Sequence, residues 1–214
     1  RVPLIDQNGG AALLHHPAGD MKISCSVALV RHAIVLLTLA WCSVVNAQVT
    51  VPEFAKQAVA TRNTAGKVFA VIDKTAATVS VFDAAGHFLA ASPVLVGRAI
   101  GDQSVPGIGE RPMNAIAPHE RTTPAGRFDS EPGINLSGET LVWIDYDAAV
   151  SMHRLRPAHA DEKRPQRMAS PSPTDNRITY GCVNVPVAFY MQWVLPTLGT
   201  TPGVIYVLPE TQPA

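Results

Sequence analysis

The chain has 214 residues, 47% hydrophobic and 16% charged, with a formal net charge of zero. That length allows one well-cored domain, or a small domain with extensions. Balanced charge and few lysines exclude a nucleic-acid binder held by phosphate contacts. Eighteen prolines and fifteen glycines with only 6% aromatics predict many turns, and hence a mostly β fold rather than a helical bundle.

Residues 1 to 20 precede Met21 and carry no assignable structure; His15-His16 has no ligand partners at a useful spacing. Residues 21 to 47 read as a signal peptide. A mildly basic start runs to Arg31-His32, Ala33 to Val45 is mostly apolar, and Val45-Asn46-Ala47 offers a cleavage site before Gln48. The expected destination is the periplasm or cell envelope. The apolar run is too short for a comfortable membrane span, so no stable membrane anchor is expected. Trp41 stands where a lipoprotein signal needs a small residue. Loss of this segment removes Cys25 and Cys42 and leaves Cys182 alone. A single thiol in an oxidising compartment is either a buried structural cysteine or a reactive one.

Residues 48 to 66 form a helical lead-in, with Pro52 where helix starts accept proline. Strands follow at Lys67 to Asp73, Thr78 to Asp83 and Gly86 to Val96. The last is bent near Pro93, and short junctions make the three an antiparallel meander. Gly97 to Gly126 lacks hydrophobic period, and so long an irregular segment is functional or mobile. Its Gly107-Ile108-Gly109 lacks the third glycine and the helix of a dinucleotide loop. His87, His119 and Glu120 read as solvated.

Thr123-Pro-Ala-Gly-Arg-Phe128 opens another strand, followed by Leu141 to Asp145 and Ala148 to His153. The last delivers His153 to a strand end, where an imidazole can serve as general base to a thiol. Residues 154 to 177 are polar and basic. Carrying Arg154, Arg156, Lys163, Arg164 and Arg167, they read as a solvated insertion or as a lid over the thiol whose arginines meet substrate carboxylates, with Arg154 and Arg177 as substrate-binding candidates.

Arg177 to Pro186 contains the thiol. Thr179, Val183 and Val185 suggest a short strand interrupted at Gly181, where an acyl group can approach closely and backbone N–H groups can point at it. Pro186 then starts an apolar helix ending before Pro196, and Gly203 to Leu208 is the final strand.

This order of motifs resembles the L,D-transpeptidase (YkuD-like) catalytic domain family over roughly Lys67 to Leu208, within a domain of residues 67 to 209. The elements that carry it are Thr-Pro-x-Gly-x-Phe, the strand-end His153, Gly-Cys-Val-Asn, a helix and an apolar last strand. The resemblance implies a barrel-like β-sandwich with a short helix after the nucleophile strand. It also implies Cys182 as nucleophile, His153 as its activator, amides around Tyr180, Gly181 and Cys182 as the oxyanion site, and Asn184 as the motif's polar residue. The implied partner is the stem peptide of bacterial peptidoglycan, which places the activity in cell-wall construction.

Two departures stand out. Tyr180 occupies the position before Gly181 where the family carries His or Ser. His153 lies 29 positions before Cys182 (182 minus 153), further than usual because of the insertion, and His159 within it is an alternative base. A catalytically silent peptidoglycan-binding domain is the competing expectation. A metal site from His153, His159 and Cys182 ranks last, lacking a fourth ligand, and no motif implies a cofactor.

Overall fold

The computed structural model describes residues 49–157 and 159–211. The expected signal segment, residues 21 to 47, and the extension before it lie outside them. The described chain is mostly β. Ten strands form one eight-stranded sheet and one two-stranded ribbon. Among the described residues no helix is long and apolar enough to cross a membrane.

Helix α1 (Val51–Ala60) begins on Thr50, whose hydroxyl accepts the Glu53 amide at 3.4 Å, an N-cap that satisfies one orphan donor of the first turn. Strands β1 (Phe69–Asp73), β2 (Thr78–Phe82) and β3 (Phe88–Pro93) form the expected meander. The bend at Pro93 is sharper than a kink. The chain leaves the large sheet there, and Val96–Gly97 forms β4 of the ribbon. Proline has no amide to extend the ladder, which suits it to a strand end.

Next come β5 (Gly126–Ile134), β6 (Thr140–Asp145), β7 (Val150–Arg154), β8 (Arg177–Thr179), β9 (Val183–Val185) and β10 (Gly203–Leu208). The eight-stranded sheet runs β3-β2-β1-β10-β5-β6-β7-β9, while β4 pairs with β8. The stretch around the thiol is therefore two strands in two different sheets, not one. Its break falls at Tyr180-Gly181-Cys182. The large sheet is nearly closed: Leu95, two residues past β3, exchanges 2.9 Å backbone hydrogen bonds in both directions with Asn184 of β9, the opposite edge.

The first and last strands, β1 and β10, lie side by side in parallel. Apolar residues occupy both of their faces, as a strand covered on both sides requires. Phe69, Val71, Val204 and Tyr206 pack with Ala55 and Ala58 of α1. Ala70, Ile72, Ile205 and Val207 face the main core with Met152, Val183 and Tyr190.

The loop between β4 and β5 is built from three short 3₁₀ turns. Glu120, expected to be solvated, is instead clasped by Arg111 at 2.8 and 2.9 Å and accepts the Ala117 amide at 2.8 Å. Hydrogen bonds from Arg111 and Ala117 hold its carboxyl down at about 2. His87 is exposed and bonded to Asp83 at 2.9 Å. The insertion after β7 holds a 3₁₀ turn (Ala160–Glu162), helix α2 (Arg164–Met168) and a second 3₁₀ turn (Pro173–Asn176). After β9 a helical run follows. Val187–Phe189 is α3, Tyr190–Val194 is a π-helical segment and Leu195–Thr197 is α4.

Candidate active site

Cys182 is half-buried and unpaired. It follows Gly181, whose φ of +132° disfavours any side chain. A Cβ there would also stand 2.7 Å from the Thr122 carbonyl oxygen. Two buried threonines hold this turn. The Thr123 hydroxyl donates to the Gly181 carbonyl at 2.8 Å and accepts the Gly97 amide at 2.9 Å. The Thr179 hydroxyl donates to the Cys182 carbonyl at 2.7 Å and accepts the Gly181 amide at 3.2 Å. The Gly181 N–H, expected at an oxyanion site, is thus occupied in this arrangement.

Strand β7 runs parallel to β9, with Met152 beside Val183 and His153 beside Asn184. The same pairing, one residue back, sets Ser151 against Cys182. The Ser151 hydroxyl and the Ala149 carbonyl each lie 3.7 Å from the Cys182 sulfur. Ala149 itself has φ +54°, uncommon for a residue with a Cβ. A Cβ on Gly109 would fall 2.3 Å from the Asp147 carbonyl oxygen, so the long loop backs this turn closely.

His153 is buried. Its Nδ1 lies 2.8 Å from the Arg154 carbonyl oxygen, and its Nε2 is 3.2 Å from Asn184 Nδ2. A carbonyl only accepts, so Nδ1 carries the proton and Nε2 receives the Asn184 N–H. Neither ring nitrogen is hydrogen-bonded to the sulfur. Burial is the largest cause lowering the His153 pKa and the Arg156 and Arg164 charges add to it, while the Arg154 carbonyl and Glu139 oppose them, leaving it at about 4. The imidazole is therefore neutral at physiological pH, and an imidazolium partner for the sulfur is not the resting state.

The remaining expected site residues separate. Tyr180 turns to the long loop, where the Arg121 guanidinium sits 3.8 Å from its ring centre, a cation–π contact. Arg154 pairs with Glu139 at 2.7 Å. Arg156 Nε approaches the same carboxylate to 2.6 Å but without hydrogen-bond alignment, so it is a charge contact only. Arg177 points away from the sulfur: it pairs with Glu210 and reaches the carbonyls of Gly97, Ala99 and Lys74 at 3.3 Å. His159 is exposed at the head of a 3₁₀ turn. Among the described residues no three His, Cys, Asp or Glu side chains group as a metal would need.

Three contributors went unread in the sequence. Ser151 could have been found from strand alternation, since it is two residues before His153 and shares its face. Arg164 of α2, read only as one of the insertion's several arginines, reaches Asn184 Oδ1 with Nη1 at 2.9 Å, and no pattern in the insertion announced that contact. Lys74 has no exposed side-chain surface and meets Asp102 at 2.7 Å and the carbonyls of Gly101 and Thr123 at 2.6 and 3.0 Å. Burial alone would raise the Asp102 pKa, but hydrogen bonds from Lys74, Thr211 and the Glu210 amide hold it well below the carboxylate range.

Comparison with known proteins gives structural neighbours but no sequence relative. No protein-family profile matches the chain, and no curated protein matches it. Among solved structures it is similar to the L,D-transpeptidase from Mycobacterium smegmatis, at 19% identity over 66% of this chain and 58% of that one, with a TM-score of 0.38. The helical cell shape determining protein Pgp2 from Campylobacter jejuni gives 12%, 68% and 49%, with a TM-score of 0.44. The catalytic domain of the E. faecium L,D-transpeptidase gives 15%, 67% and 98%, with a TM-score of 0.38. The chain spans about three-fifths of the first of these and half of the second.

Proposed function

We propose that this protein is an exported L,D-transpeptidase of the cysteine type, with residues 67 to 209 as its catalytic domain. The observation that carries the reading is a half-exposed thiol, a serine hydroxyl and a His–Asn pair on one face of adjacent parallel strands. The substrate is the peptidoglycan stem peptide, as the order of motifs implies.

In this reading Cys182 attacks the carbonyl of the third, L-centred residue. With Nδ1 bonded to the Arg154 carbonyl, Nε2 of His153, once released by the Asn184 N–H, is the nitrogen that accepts the thiol proton as the S–C bond forms. The oxyanion takes the backbone N–H donors at the nucleophile turn that Thr179 leaves free, the Gly181 N–H being held by the Thr179 hydroxyl, each worth about 3 kcal/mol in such sites. Collapse breaks the C–N bond, and His153 returns the proton to the departing D-alanine amine. The thioester is then transferred to an amine, forming a cross-link, or to water.

The test is incubation of the processed protein with muropeptide tetrapeptides and with a carbapenem-type acylating agent, followed by mass analysis. D-Alanine release, together with an adduct lost in Cys182→Ala, is the expected result. An adduct that persists in the variant removes Cys182 as nucleophile. A catalytically silent wall-binding domain is the second reading, favoured by the engagement of His153 Nε2 with Asn184 rather than with sulfur. It requires sacculus binding with no D-alanine release.

A further inference from the structure

We propose that Arg164, from the insertion, is a positioning residue that sets the orientation of the Asn184 amide and through it the proton-accepting state of His153. The inference rests on the reading of Cys182 and His153 given above. Its geometry is a continuous chain of contacts. The Glu162 carboxylate holds Arg164 Nε at 2.5 Å, Arg164 Nη1 donates to Asn184 Oδ1 at 2.9 Å, and Asn184 Nδ2 faces His153 Nε2 at 3.2 Å. Asn184 is 1% exposed and His153 7%, so water does not compete freely for either.

An amide side chain has two ends of opposite character, and which end meets the imidazole decides which form of the ring it favours. With Oδ1 occupied by a cationic donor, the NH₂ end must face Nε2. A donor at Nε2 stabilises the neutral ring and opposes protonation. Without Arg164 the amide is free to turn, and its oxygen would then accept from a protonated ring. The other charged groups around the ring are Arg156 after β7 and Glu139 ahead of β6, with opposite effects. Arg154 is committed to Glu139. Arg164 is the one that also bonds Asn184, and it arrives from α2, a segment outside the sheet. The insertion thereby acts on the site through Asn184.

The experiment is an NMR titration of the His153 ring in wild type, Arg164→Gln, Asn184→Ala and the double variant. It needs no substrate, so it succeeds or fails independently of the transpeptidase reading. The expected result is a rise in the His153 midpoint of about one unit in Arg164→Gln, a tenfold gain in proton affinity. The shift should be much smaller when Asn184 is already alanine, the coupling that a double-mutant cycle isolates. Equal shifts in both backgrounds would mean that Arg164 acts by charge alone and would overturn the proposal, as would no shift. Glu162→Gln, which loosens Arg164 without removing its charge, should move the midpoint the same way by a smaller amount; a midpoint identical to wild type counts against the chain of contacts. Where D-alanine release is measurable, the acid limb of its pH profile should move upward with the ring.

Discussion

Thr123 and Gly181 are 58 residues apart in sequence and joined by a 2.8 Å hydrogen bond from hydroxyl to carbonyl. The same hydroxyl accepts the Gly97 amide at 2.9 Å, and Thr123 is 2% exposed. One oxygen thus ties the end of the long loop to β4 and to the turn that carries Cys182. Thr123→Val keeps the shape and removes both bonds, leaving a buried N–H and a buried carbonyl unpaired. The expected cost is about 2–4 kcal/mol in urea unfolding, with most of it recovered in Thr123→Ser. A Thr123→Val protein as stable as wild type would show that the clamp is not needed.

The Ser151 hydroxyl and the Cys182 sulfur lie 3.7 Å apart and either can donate, but once the thiol ionises only the hydroxyl can, whereas the Ala149 carbonyl at the same distance can only accept. A donor favours the thiolate, the nucleophilic form. Ser151→Ala should slow alkylation of Cys182 by iodoacetamide about fivefold to tenfold at fixed pH while leaving the unfolding midpoint little changed. Unaltered alkylation would reduce Ser151 to a packing residue.

His153 makes stability depend on pH in a defined window. Its pKa is about 4 against an ordinary 6.5, so between those values the unfolded chain binds more protons than the folded one. Stability is fully present above pH 6.5 and is lost as pH falls toward 4, by about 3 kcal/mol over the interval. Urea unfolding of wild type and His153→Gln across that range should give curves that diverge, wild type losing more. Parallel curves would contradict a buried neutral imidazole.

Much of this architecture was legible because it is written in local pattern. Strands β1 to β3 follow from β-branched runs and short turns. The thiol, His153 and Asn184 come together because motif residues at strand ends are carried by the pairing of β7 with β9. What stayed hidden depends on contacts between distant segments. Arg177 sits beside the central motif in sequence, yet Glu210 and three carbonyls draw it away. The split of the central stretch into β8 and β9 needs the +132° φ of Gly181 and the two threonine clamps, none of which a decapeptide displays. Arg164 lies in a segment without periodicity, where sequence offers nothing to align.

The parallel contact between β1 and β10 has a consequence for how the molecule is made. The opening strand of the sheet finds its inner neighbour only in Gly203–Leu208, and the buried Lys74 charge draws on Asp102 and, at 3.4 Å, on Glu210 just beyond that strand. Such remote pairings are slow to form. The Lys74 cluster also holds the Thr123 carbonyl, so the clamp behind Cys182 is complete only when these remote segments have met.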